Sequence, residues 1–105
     1  MLVHVVLMRF TDPADAPEAK RRLEELPPLV GEIASMRVGL DVTGSAVSYD
    51  LCMTTRHTSA AALAAYQRHP AHRALGDWLR PRLADRATVD YVAPGECGDD
   101  GEGGD

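Results

Sequence analysis

The chain has 105 residues, 45% of them hydrophobic, and a formal net charge of −5. That length sets a single domain with one modest core, and the hydrophobic share excludes a wholly disordered chain. The charge is unevenly placed. Residues 1–93 hold eleven acids against all eleven Lys and Arg, and Glu96, Asp99, Asp100, Glu102 and Asp105 carry the whole excess. A neutral body without a basic stripe argues against nucleic acid as a partner. No run approaches the roughly 20 apolar residues of a membrane span, and the N-terminus does not read as a leader. Cys52 and Cys97 are too few for a disulfide framework and read as reduced thiols of a cytoplasmic protein.

The first apolar run, residues 2–10, predicts a strand. One alternating row holds Leu2, His4, Val6, Met8 and Phe10; the other holds Val3, Val5, Leu7 and Arg9. A strand apolar on both sides must be covered on both sides. Thr11-Asp12-Pro13 breaks it. A helix then follows from near Pro17, with Ala19, Leu23 and Leu26 at helical spacing. Pro27-Pro28 ends that helix, with a further turn through Leu29, Val30 and Ile33. Residues 36–41 and 47–55 alternate as strands around Thr43-Gly44-Ser45, which predicts a hairpin. Thr58-Ser59 caps an alanine-rich helix over 60–68. Pro70 opens another helical segment to about residue 79 or 83, and residues 88–92 form a fourth strand. Residues 94–105 read as a disordered, acidic, Gly-rich tail outside a 1–93 domain.

The order β-α-β-β-α-β predicts an α+β, ferredoxin-like fold: a four-stranded antiparallel sheet with both helices on one face. The other face then leaves the second row of the first strand, with Leu51 and Met53, open to water. A second copy against that open sheet face resolves this, so a homodimer is expected.

The segment Tyr66-Gln67-Arg68-His69-Pro70-Ala71-His72 places a phenol and two imidazoles around a proline, and His4 adds a third imidazole. Histidine titrates closest to neutrality, which makes such a cluster a candidate for proton handling. If His4, Tyr66 and His72 share an apolar cavity, neutral His72 takes a proton α to a carbonyl and Tyr66 donates to the enolate oxygen. His4 orients His72 or binds a carbonyl, with Asp77 or Asp50 available as carboxylate partners. The structural alternative gives His72 a backbone carbonyl and makes Tyr66 a barrel-edge residue. His69 is expected to be exposed, facing away from His72, and His57, in the polar Arg56-His57-Thr58, solvated. Pro70 breaks the helical face between His69 and His72, so no metal site is expected. No glycine-rich phosphate cradle follows a strand, and no cofactor is expected. Trp78 reads as a core or dimer-packing residue, and Asp77 as a partner of Arg73 at i−4.

Those elements, with Leu2–Phe10, Val38-Gly39, Tyr49-Asp50-Leu51 and the Tyr66–His72 segment, resemble the stress-responsive A/B barrel (Dabb) family. The resemblance covers residues 1–92 and implies a dimeric α+β barrel. One branch, resembling the plant olivetolic acid cyclase, closes a linear polyketide by aldol condensation without metal or organic cofactor. It implies a catalytic tyrosine at Tyr66, a catalytic histidine at His72 and a pocket histidine at His4. It also implies pocket-lining Val6, Met8, Met53, Leu63, Leu75 and Gly76. A third pocket histidine of that branch falls on Leu51, and Gln67 replaces an apolar residue. The ligand implied is small and apolar or polyketide-like; the alternative is a non-catalytic dimer that binds a small ligand or supports stress tolerance.

Overall fold

The strand Leu2–Phe10, β1, decides which way everything else faces. The computed structural model describes residues 1–94; the predicted tail beyond Pro94, Cys97 included, lies outside the described residues. β2 (Ser35–Leu40), β3 (Leu51–His57) and β4 (Leu83–Val92) join β1 in the order β2-β3-β1-β4, every pairing antiparallel. Three helices, α1 (Ala16–Leu23), α2 (Ala60–Arg68) and α3 (Pro70–Leu79), complete a ferredoxin-like α+β fold.

One row of β1, His4, Val6, Met8 and Phe10, is buried, and from β3 Leu51, Met53, Thr55 and His57 are buried beside it. Ala19 and Leu23 of α1, Leu63 and Tyr66 of α2, and Leu75 and Leu79 of α3 close over this row. α2, α3 and the short 3-10 turn ahead of α1 each begin on a side-chain cap that satisfies an orphan N–H. Asp12 accepts from the Ala14 amide at 3.0 Å, opening a 3-10 turn that runs into α1. Ser59 accepts from Ala62 at 3.1 Å. His69 Nδ1 accepts from Ala71 at 3.0 Å, with Pro70 as the first residue of α3. His69 is therefore a half-buried helix cap and not a free surface imidazole.

Several boundaries differ from the sequence reading. α1 ends at Leu23, and the apolar residues beyond it, Leu26, Val30 and Ile33, are buried from a series of turns. β3 begins at Leu51, four residues late, because the Asp50 carboxylate accepts from the Phe10 amide at 2.7 Å. The loop before it turns on Gly44 (φ +62°), whose amide donates to Asp41 at 2.6 Å. β4 starts at Leu83, earlier than its apolar part, because pairing with β1 and not hydropathy holds its first residues.

Leu51 and Met53 belong to the helix-covered side, which corrects their expected place on the open face. The β1–β3 register pairs Met8 with Leu51 and Val6 with Met53, so the pleat turns all four the same way. The open face instead carries Val5 and Leu7 of β1 beside Thr54 and Cys52 of β3 and Val89 and Ala87 of β4. Val89 is 61% and Tyr91 46% exposed there. Trp78 is half-buried between two guanidiniums, with Arg22 4.4 Å and Arg82 4.3 Å from its ring centroid. Asp77 pairs with Arg80 at i+3 and not with Arg73.

Candidate functional site

The break between α2 and α3 builds the site. His69 is extended (φ −62°, ψ 137°), so α2 stops at Arg68 and α3 restarts in a new direction at Pro70. Leu63 and Tyr66, three residues apart, face the sheet from α2, while His72, Leu75, Gly76 and Leu79 share one face of α3. These faces and the sheet enclose a cavity of about 180 Å³. His4, Val6 and Met8 of β1 and Met53 of β3 form its floor, Tyr66 one wall, and the α3 face its roof. Arg80 and Arg86 also line it. Leu51 and Leu63, expected in the lining, are buried in the core outside this cavity.

Tyr66 is the hub of the ring cluster and is fully buried. Its ring lies 4.6 Å from that of His72 and 6.4 Å from that of His4, both edge-to-face, and 5.1 Å from His57. Burial pushes the phenol pKa up to about 12 against the opposing pull of Arg86, so it stays protonated at neutral pH. Its hydroxyl donates to Met53 Sδ at 3.9 Å, a weak partner.

His72 is half-buried, and burial lowers its pKa below the usual 6.5, with Arg86, His4 and His69 pushing the same way. The Gln67 carbonyl opposes that shift without completing a hydrogen bond to Nδ1, which is buried and unpartnered. His72 is therefore a neutral imidazole near pH 7. His4 Nδ1 donates to the Asp90 carboxylate of β4, which fixes the ring and leaves Nε2 as its free nitrogen.

Neither Asp50 nor Asp77 serves a histidine, as the sequence reading allowed: Asp50 holds the Phe10 amide and Asp77 holds Arg80. The carboxylate that does so, Asp90, escaped because only the β1–β4 register sets it opposite His4. The same register sets Arg86 opposite Met8. His57, expected in water, is fully buried: β3 runs past residue 55, and period-two alternation puts 51, 53, 55 and 57 on one side. Its Nδ1 donates to the Glu32 carbonyl at 2.7 Å and its Nε2 accepts from Thr55 Oγ1 at 2.8 Å. Among the described residues no group of three or more His, Cys, Asp or Glu is placed to hold a metal ion. No helix there is long and apolar enough to cross a membrane.

A neutral imidazole beside a protonated, desolvated phenol is the equipment for moving a proton next to a carbonyl. Solved structures share the architecture. A dimeric ferredoxin-like protein of unknown function from Thermobifida fusca YX is 29% identical, with 88% of this chain and 90% of that one covered and a TM-score of 0.78. Another dimeric protein of unknown function and ferredoxin-like fold, from Bacteroides fragilis NCTC 9343, is 25% identical over 86% and 93% of the two chains, with a TM-score of 0.76. A hydroxynitrile lyase from Passiflora edulis shares the fold alone, at 13% identity over 88% and 92% of the chains, with a TM-score of 0.76. No curated protein matches the sequence significantly. The profile of the stress responsive A/B barrel domain matches residues 2–93, all but the first residue and the C-terminal segment, and the chain belongs to that family, Dabb.

Proposed function

We propose that the cavity is a cofactor-free acid–base site for a small, largely apolar carbonyl compound of polyketide-like type, working as a cyclase or isomerase. The observation that supports this is the convergence of His4, Tyr66 and His72 on one cavity, with the imidazole of His72 neutral and the phenol protonated. In this reading His72 takes the proton α to the carbonyl, the C–H electron pair becomes the enolate C=C bond, and the carbonyl π pair moves onto the oxygen. Tyr66 donates a hydrogen bond to that enolate oxygen, turning from Met53 to do so. His4, held by Asp90 through Nδ1–H, has a bare Nε2 that accepts a hydrogen bond from a hydroxyl of the substrate. Return of the proton from His72 to another carbon of the conjugated enolate isomerises the substrate; attack of the enolate carbon on a second carbonyl closes a ring, and the proton on His72 then passes to the new alkoxide oxygen. A cavity of about 180 Å³ takes only a small molecule or the end of a longer one, so a longer chain enters by its reactive end. The Passiflora edulis lyase is an enzyme on the same fold.

The same reading makes the protein a homodimer through the open sheet face, in the cytoplasm. Exposed Val89 and Tyr91 on that face and the dimeric solved relatives support it. One observation favours a second reading, a non-catalytic dimer that binds a small ligand or supports stress tolerance. The Tyr66 hydroxyl is spent on Met53 Sδ.

Exchange of the α-protons of cyclohexanone in D₂O, followed by NMR, separates the two. The wild type should accelerate exchange above free imidazole, and His72→Ala should lose about 10²-fold or more of that acceleration. Tyr66→Phe should lose part of it. No acceleration, or full acceleration in His72→Ala, removes the catalytic reading and leaves the ligand-binding one.

A further inference from the structure

Among the described residues two arginines line the cavity and no carboxylate does. They are not equivalent. Arg80 is already engaged by Asp77, one turn back on the helical segment. Arg86 has no ion pair with any described residue. Arg86 is exposed at the rim, and the strand register puts it on the cavity side: positions 86, 88 and 90 of β4 sit opposite Met8, Val6 and His4, the residues of the cavity floor. Asp90, the one acid in that row, is committed to His4. The Arg86 charge is felt inside, since it favours the ionised phenol of Tyr66 and the neutral ring of His72.

We infer that the ligand of this cavity carries a carboxylate, and that Arg86 is the residue that receives it. The proposal rests on the reading of the cavity as a ligand site and narrows its substrate class to small carbonyl-bearing acids. A guanidinium offers a planar fork of donors that matches a carboxylate with two parallel hydrogen bonds. With the acid group on Arg86, the apolar body lies against Met8, Leu75 and Leu79, and its carbonyl falls towards Tyr66 and His72. A cationic ligand meets two guanidiniums and is refused. A neutral ligand of the same shape leaves Arg86 without its partner and is bound less well.

The test uses benzoate and benzamide as probes, matched in shape and differing in charge, on the full chain at low salt. Binding is read from the His4 and His72 Cε1–H resonances. Benzoate should bind about tenfold or more tightly than benzamide, the margin of a charge-assisted pair. Arg86→Gln should erase the difference by weakening benzoate alone, Arg86→Lys should keep part of it, and Arg80→Gln should weaken benzoate less. Arg86→Gln keeps much of the aliphatic stem on an exposed edge strand, and its melting temperature checks the fold. Equal affinities in the wild type, no benzoate-induced shift, or unchanged benzoate affinity in Arg86→Gln each overturn the inference. Cyclohexanone carries no carboxylate, so its exchange tests the base by itself. Selective benzoate binding without exchange removes the base and keeps the anion site, and the converse does the reverse.

Discussion

His57 is held at both ring nitrogens, and that fixes its protonation state. A carbonyl oxygen only accepts, so Nδ1 carries the hydrogen to Glu32, and Nε2 must be bare to receive the Thr55 hydroxyl. The ring ties the loop before β2 to the end of β3. Replacing it with alanine strands the buried Thr55 hydroxyl and the part-buried Glu32 carbonyl and opens a void, and His57→Ala should cost about 2–4 kcal/mol in urea unfolding. A loss below about 1 kcal/mol would mean that the loop holds itself. Protonation should act in the same direction. Burial lowers the pKa of both His57 and His72 below 6.5. The unfolded chain then takes up protons first, so stability is full above about pH 6.5 and falls as pH drops through the lowered folded values. Glu18, its carboxyl held at about 2 by hydrogen bonding to Arg21, responds only in a more acidic window. Urea midpoints between about pH 7.5 and 5 should therefore decline, and His57→Ala should flatten the decline. Single residues were legible where the local pattern aims them: His4 in an apolar row, Tyr66 and His72 on helix faces. Asp90 and Arg86 were not, because their places depend on a pairing between residues some eighty positions apart, with a register shift at Arg9/Phe10.

At the scale of elements, the helix starts were legible and the strand ends were not. Ser59 and Pro70 announce α2 and α3 by chemistry contained within a few residues. The first residue of β3 depends on Asp50 reaching across to Phe10, and the first residues of β4 on β1 alone. Within α3, Gly76 offers a direct trial of the cavity roof. An added Cβ would meet Arg80 Nη1 at 3.2 Å, the far end of a flexible side chain that can swing aside. Alanine is favoured over glycine by about 0.5–1 kcal/mol inside a helix. Gly76→Ala should therefore raise the melting temperature by a few degrees, and a fall would show that Arg80 is held rigidly. The element that carries the site is thus open to improvement, as expected where room for a ligand outranks stability.

For the molecule as a whole, the alternation within β1 is the informative pattern. Its two apolar rows demand two covers, and the helices supply one. The fold class follows from the order of elements. The side taken by Leu51 and Met53 does not, because it turns on the parity of the loop between β2 and β3. The proposed homodimer gives the second cover, and Val89 tests it. In the single chain this residue is 61% exposed and makes no part of the core, so Val89→Glu should leave the fold intact. Sedimentation at micromolar concentration should show a dimer for the wild type and a monomer for Val89→Glu. A dimer that survives the substitution uses another surface.

The chain has a single tryptophan, and it is stacked between Arg22 on α1 and Arg82 just before β4. The adjoining residues Leu23, Leu79 and Leu83 line the cavity. Its ultraviolet emission thus comes from one known junction, without any label. A ligand that eases α1 away from α3 admits water to the indole and reddens the light; one that seats without disturbance leaves the colour alone. The protein carries its own optical gauge of whether filling the cavity moves its walls.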